Sequence, residues 1–252
     1  DKREWYPASM AQKAMYILSQ ADGIGASYHV TIANRLQGPL DMKRLEKAMN
    51  VVIARHEALR TVFDLVDGEI VQRILPHLEI KLSYIEAEPD QGQDKAYAQS
   101  LLLKAGLGQA FDLSALPLLR AGVVKLSKQE HLLFIEVHHI VFDGMSLEFF
   151  FKETALAYDG NPLPALLYQY KDYAVWHNQF LHSPAVEKQE RFWLESLEGE
   201  LPTLQLTSDY VRPAQQTFEG DRLYRYVDEE LTCQLKKLAE QHKVSLYMVL
   251  LS

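Results

Sequence analysis

Along this chain the spacing of apolar residues switches repeatedly between two and three-to-four, and only a fold that mixes strands with helices accommodates both periods. Residues 27–37 alternate, with Tyr28, Val30 and Ile32, then Leu36, on the side a strand would bury. Asp41 precedes Leu45, Met49, Val52, Ile53 and His56 at spacings of three and four, which predicts a capped helix. Upstream, Ser9 can cap a helix through about Ser19, with Met10, Ala14, Ile17 and Leu18 near one face. Asp67-Gly68, between apolar runs at 61–65 and 70–75, predicts a hairpin, and a further strand is expected near 79–85. Residues 90–106 read as a helix with Tyr97, Leu101 and Leu102 on one side. Residues 117–126 and 131–139 form a second pair of strand-like runs around a polar turn. Helical spacing returns at 145–158, around 166–182, at 185–197 and at 229–240. The expected class is therefore α/β (α+β mixed). Residues 199–220, with Pro202 and Pro213 and little periodicity, are the expected linker.

Composition narrows the function. A length of 252 residues holds one large domain or one and a half small ones. A formal charge of −8 leaves no basic field for a nucleic acid backbone. Cys233 is the only cysteine, which excludes an internal disulfide framework and a thiolate metal cluster, and it is expected on a helix, buried or half-buried. A reducing cytoplasmic setting is the expectation. No apolar run approaches the roughly 20 residues that span a bilayer, so no membrane partner is expected. The chain starts without Met and stops inside an apolar run, residues 244–251. The expectation is a piece of a longer protein whose last helix is interrupted. The alternative for that run is a docking helix for a partner.

The candidate chemistry lies at residues 138–144. His138 and His139 end a buried strand, and Asp143-Gly144 follows four residues later. Successive strand side chains point to opposite faces. One imidazole can then enter a cavity while the other braces the turn. Two such rings diverge, which argues against a shared metal ion. Gly144 is expected to permit close backbone approach or a positive φ, near a helix start whose free amides suit a developing oxyanion. The ordinary alternative is a satisfied core histidine and an aspartate that caps the next helix. His56, among apolar helix positions, reads as a packed histidine, and His29, His77, His131, His177, His182 and His242 show no metal spacing.

Three further segments, in order, carry a resemblance. Residues 9–18 (Ser-Met-Ala-Gln-Lys-Ala-Met-Tyr-Ile-Leu), 55–63 (Arg-His-Glu-Ala-Leu-Arg-Thr-Val-Phe) and 170–176 (Tyr-Lys-Asp-Tyr-Ala-Val-Trp) flank the HHxxxDG segment at 138–144. Phe111-Asp112-Leu113 and Pro117-Leu118-Leu119-Arg120 fit the same wording. Together they resemble the condensation domains of nonribosomal peptide synthetases, relatives of chloramphenicol acetyltransferase. Ala14 stands where that family usually carries Arg, and Phe142 where a small residue is common.

The resemblance implies a chloramphenicol acetyltransferase-like lobe at 1–178, a helix and linker at 179–222, and the start of a second, largely missing lobe at 223–252. It implies peptide bond formation: an acceptor α-amine attacks a donor thioester, with both substrates on the 4'-phosphopantetheine arms of carrier domains. It also implies that the domain itself binds no cofactor or metal. Implied partners are donor and acceptor carrier domains, a neighbouring adenylation domain and the missing lobe. Implied site residues are His139 as the central group, His138 and Asp143 as its supports, Gly144 at the helix start, and Arg60 as the structural partner of Asp143. His139 could act as a general base or could orient the amine by a hydrogen bond. Tyr173 and Trp176 are expected as core aromatics. Glu57 resembles subtypes that take an L-configured donor. Ser146-Leu147 speaks against an epimerization domain, and the retained histidines speak against a cyclization domain. A stand-alone CoA- or carrier-dependent acyltransferase and a non-catalytic carrier-recruitment module are the rival readings. Residues 1–252 by themselves are expected to fold and to form no peptide.

Overall fold

The computed structural model describes residues 3–20, 27–87, 100–101, 103, 106–203, 205, 207–211, 213, 223 and 225–252. The chain divides into two compact units, Asp1–Val211 and Arg212–Ser252.

In the first unit, Ser9 begins helix α1 (Met10–Ser19) with a reciprocal cap: its hydroxyl accepts from Gln12 N–H, and the Gln12 side chain accepts from Ser9 N–H. Strand β2 (His29–Gln37) alternates half-buried and exposed side chains, as its period demands. Asp41 caps α2 (Met42–Arg55), whose Leu45, Ala48, Met49, Val52 and Ile53 are all buried. A short 3-10 turn (Glu57–Arg60) leads into the hairpin of β3 (Thr61–Val66) and β4 (Glu69–Ile74). Its turn residues Asp67 and Gly68 have φ of 51° and 83°, the mirror-image turn that matches the twist of paired strands. With β1 (Tyr6–Pro7) these form a three-stranded sheet in the order β1-β4-β3.

The second sheet has the order β2-β7-β6-β5, with β5 at Ser83–Glu86, β6 at Leu119–Ser127 and β7 at Glu130–His138. Only β5 and β6 run parallel. Gly122 permits that approach, because a Cβ there would lie 3.0 Å from the Ser83 carbonyl oxygen. Strand β7 is buried on both faces. Leu133, Ile135 and Val137 join the main core with α2 residues Leu45, Met49, Val52 and Ile53. Phe134 joins a second cluster with Leu101, Leu107 and Val124. Four more helices follow: α3 (Gly144–Tyr158), α4 (Tyr170–Phe180), α5 (Pro184–Ser196) and, in the second unit, α6 (Glu229–His242), before the short α7 (Leu246–Leu251).

The mixed class and most expected elements agree with this architecture. The strand expected at 79–85 begins four residues later, at Ser83. Of the helix expected over 90–106, residues 100, 101 and 103 are helical, and the rest up to residue 105 lies outside the described residues, as does part of the linker over 199–220. Cys233 sits on α6 but is exposed, not half-buried. Tyr173 and Trp176 are also exposed, at 45% and 55%, in a row of rings along α4, so they are not core aromatics. Spacing alone could not show which side of α4 faces the core; Ala174, fully buried, marks it.

The core makes a direct prediction. Ile53 is fully buried between α2 and the sheet. Truncating such a side chain removes its transfer free energy and leaves a void. Ile53→Ala should cost about 2–5 kcal/mol in urea unfolding, whereas the same change at exposed Val51 should cost well under about 1 kcal/mol.

Candidate active site

The chemistry-bearing segment is held by the ends of three strands. His138 N–H donates to Leu118 O at 3.0 Å and His139 N–H donates to Tyr28 O at 2.8 Å, so β6 and the start of β2 clamp the end of β7. The chain then turns: Val141 N–H returns to His138 O and Ile140 N–H donates to Nδ1 of the His138 ring at 3.1 Å. On the far side, the Gln12 amide donates to Ile140 O. The two imidazoles part as strand geometry requires. His138, 2% exposed, turns inward. His139 lines a cavity of about 520 Å³.

His138 packs on a buried polar group. His29, opposite it in register on β2, places its ring edge-on to His138 at 5.9 Å. His29 Nδ1 lies 3.2 Å from Glu136, which also accepts from Gly108 N–H and from Arg120. Burial works to raise the Glu136 pKa, but His29, the Gly108 amide and Arg120 together hold it below the usual carboxylate value. For His138, burial, then the neighbouring His29 and His139, push the pKa down to about 4. A neutral ring is also what the geometry needs, since Nδ1 can accept from Ile140 only when it carries no proton.

Asp143 and Arg60 do not meet, contrary to the expected pairing. Asp143 is the N-cap of α3: its carboxylate accepts from Ser146 N–H at 2.8 Å and from the Ser146 hydroxyl at 2.6 Å. Those two bonds hold its pKa low against partial burial, with a smaller contribution from nearby His139. Arg60 is buried and donates to three backbone carbonyls, Ile53 and Ala54 near the end of α2 and Leu75 after β4. A cation among helix C-terminal carbonyls is favourable without any carboxylate. Gly144 needs neither a positive φ nor close approach, because it occupies the first helical position with open space where a Cβ would sit. Phe142 is buried and packs edge-on to Phe150 at 6.0 Å.

The cavity wall collects residues from all four motifs. Besides His139, Phe142, Asp143 and Ser146, it includes Gln12 from the first segment, His56 and Ala58 from the second, and Gln169 and Tyr170 around the fourth. They are tied together: the Tyr170 hydroxyl bonds the Ser9 hydroxyl at 2.9 Å, and the Gln169 side chain accepts from Glu57 N–H while donating to Arg55 O. Glu57 itself is held by Lys171. A smaller cavity of about 360 Å³ shares His56, Ala58, Val141, Phe142, Ser146 and Leu166 with the first and is otherwise lined mainly by Phe149, Phe150 and Leu59. Gln12, Gln169 and Tyr170 escaped sequence reasoning as site residues, although two of them lie inside the recognised motifs. His56 was expected to be packed; it instead ends α2 and reaches Glu153 on α3 at 2.7 Å.

Two predictions come from this geometry. Asp143→Ala removes the cap of α3 and should cost about 1 kcal/mol, read as a lower Tm, while Asp143→Ser should recover most of the loss. A pure proton-transfer role for Asp143 would instead leave Tm unchanged. For His138, the folded pKa of about 4 lies below the ordinary 6.5, so between these values the unfolded chain binds a proton that the folded chain excludes. Stability is therefore complete above about pH 6.5 and falls as the pH drops towards 4, at up to about 1.4 kcal/mol per unit. His138→Asn keeps an acceptor for Ile140 without the titration. Urea unfolding between pH 7 and 4.5 should show a shallower pH slope for the variant, and equal slopes would contradict the assignment.

A family model described as "Condensation domain" matches residues 2–252. The chain is 42% identical to surfactin synthase subunit 1 of Bacillus subtilis (strain 168) over all of its own length and 7% of that protein. It is 41% identical to gramicidin S synthase 2 of Brevibacillus brevis, over 99% of this chain and 5% of that one. Among solved structures, the X-domain from teicoplanin biosynthesis superposes with a TM-score of 0.80 at 27% identity, covering 97% of this chain and 55% of the other. The condensation domain from Monacolin K polyketide synthase MokA shares the fold, with a TM-score of 0.78 at 22% identity over 96% of this chain and 56% of that one. The chain thus spans a small fraction of its curated relatives and little more than half of these solved domains. It belongs to the condensation domain family.

Proposed function

We propose that this chain carries the reaction centre of an enzyme that joins two carrier-bound substrates through an amide bond, as in nonribosomal peptide synthesis. The observation that carries the reading is the His139 ring on the wall of a large chamber, at a turn clamped by three strands and beside the N-terminus of α3. A donor thioester and an acceptor amine, each on the 4'-phosphopantetheine arm of a carrier domain, would meet there. The amine nitrogen attacks the thioester carbonyl, the tetrahedral oxyanion forms, and collapse expels the thiolate. The amide of Gly144, at the first position of α3, has no acceptor within its helix and is the candidate donor to that oxyanion.

His139 acts by orientation in this reading. Its Nδ1 is buried and has no hydrogen-bond partner among the described residues. A base that ends the reaction as an imidazolium is normally backed at that nitrogen by an acceptor, and here Asp143 is engaged with Ser146. A free α-amine titrates near roughly 7.7–8.0, so a useful fraction is neutral at neutral pH and needs alignment more than deprotonation before attack. His138 sets the turn behind His139 through Ile140 N–H, and Arg60 supports the segment that brings His56 and Ala58 to the chamber. A neighbouring adenylation domain, carrier domains and a second lobe would complete the assembly, in the cytoplasm.

The X-domain, one of the structural neighbours, has been solved in complex with OxyB, which supports a second reading of this fold as a recruitment module. The retained His139 on an open chamber favours catalysis. Single-turnover transfer between loaded donor and acceptor carriers, in the complete protein, separates the two. His139→Ala should lower the rate by about 100-fold or more with carrier binding intact. Carrier binding without any product in the parent protein would favour recruitment.

A further inference from the structure

The chamber holds a second imidazole whose surroundings differ from those of His139. His56 follows α2 directly, lines both the 520 Å³ chamber and the adjoining 360 Å³ one, and has a side chain 28% exposed. Its Nε2 lies 2.7 Å from a carboxylate oxygen of Glu153 on α3. That contact is a hydrogen bond only if Nε2 carries the proton, which leaves the Nδ1 lone pair free. No hydrogen bond occupies Nδ1 among the described residues. Glu153 is itself fixed, since Arg55 Nε donates to both of its oxygens at 3.2 and 3.1 Å. His56 thus has the carboxylate backing that His139 lacks.

We propose that the His56–Glu153 pair is the proton acceptor of the chamber, taking the proton that the attacking amine must lose. The assignment rests on the chamber being an amide-forming site, and it divides the work between two rings. His139 aligns the neutral amine. As the C–N bond forms, the nitrogen becomes cationic and one of its protons passes to His56 Nδ1, directly or through one water. When the C–S bond breaks, its electron pair leaves on sulfur, and the same proton goes from His56 to the thiolate. Nothing is oxidised or reduced, and His56 returns to its starting state. Glu153 stabilises the transient imidazolium, while Arg55 holds the carboxylate in place. The other charged groups around the pair are the Glu57–Lys171 ion pair one residue on, and Asp143 and His139 on the chamber wall.

The test uses the complete protein with its own carrier domains, loaded in place by ATP and a mixture of the twenty amino acids. Single-turnover product formation is read by mass spectrometry from pH 5.5 to 9. His56→Gln should lower the rate about 100-fold and change the pH profile, with Tm and carrier binding as in the parent. Adding imidazole should restore much of the rate to His56→Ala, which a structural role for the ring would not allow. Glu153→Gln should also lower the rate, because the carboxylate that answers the transient imidazolium is gone. Parental rate and pH profile in His56→Gln, or a normally folded His56→Ala that imidazole does not rescue, would overturn the assignment. His139→Ala in the same assay keeps the two readings apart. Its inactivity beside an unaffected His56→Gln sinks only the proton acceptor, whereas its full activity sinks the amide-forming reading of the chamber.

Discussion

The site depends on one hydrogen bond from a backbone amide to a buried imidazole. Ile140 N–H donates to His138 Nδ1 at the point where β7 stops. Without an acceptor there, the amide would be a buried orphan donor at the centre of the turn. The bond works only while His138 is neutral, and its surroundings ensure that it is: burial disfavours the cation, as do His29 and His139. The buried Glu136, answered by Arg120 and the Gly108 amide, fixes the His29 ring that packs against it. Tyr28 O and Leu118 O then anchor the backbone from both neighbouring strands. The direction of the His139 ring is a consequence of this arrangement.

Much of it was legible in the sequence because it rests on local rules. The divergence of His138 and His139 comes from the two-residue period of a strand, and the caps at Ser9 and Asp41 come from the short polar side chains ahead of apolar runs; the cap at Asp143 stood only as the alternative to its pairing with Arg60. The hairpin at Asp67-Gly68 needed only the positive φ that those residues tolerate. Long-range polar partners were not legible. Pairing Arg60 with Asp143 was a reasonable match of opposite charges, but backbone carbonyls compete for a guanidinium as effectively as carboxylates do, and sequence does not reveal which carbonyls are unsatisfied. The same blindness hid Glu153, 97 residues from His56 in the chain and 2.7 Å from it in space.

Burial of aromatic residues failed for a related reason. Tyr173 and Trp176 are large and apolar and lie on an amphipathic helix, yet α4 buries Ala174 and leaves the row of rings outside. Stacking among Tyr173, Trp176, His177 and Phe180 satisfies part of their surface within the helix itself. A small residue at the closest approach lets α4 come near the core, and it brings Tyr170 within 2.9 Å of Ser9. Tyr170, on the same helix, lines the chamber.

The two chamber histidines show how environment, more than residue type, assigns a role. Both are imidazoles with one face on the same cavity. His139 has a buried Nδ1 with no hydrogen-bond partner among the described residues, and the nearby Asp143 carboxylate is engaged with Ser146. His56 has a carboxylate at hydrogen-bond distance, itself held by a guanidinium. An ionised neighbour stabilises an imidazolium far more than an empty hydrocarbon wall does. If amide formation takes place between them, the hydrogen-bonded carboxylate backs a proton taken by His56, and no such bond backs His139. The ring in the HHxxxDG segment would then be the one that aligns, and the ring that sequence spacing marked as mere packing would be the one that carries the proton during turnover.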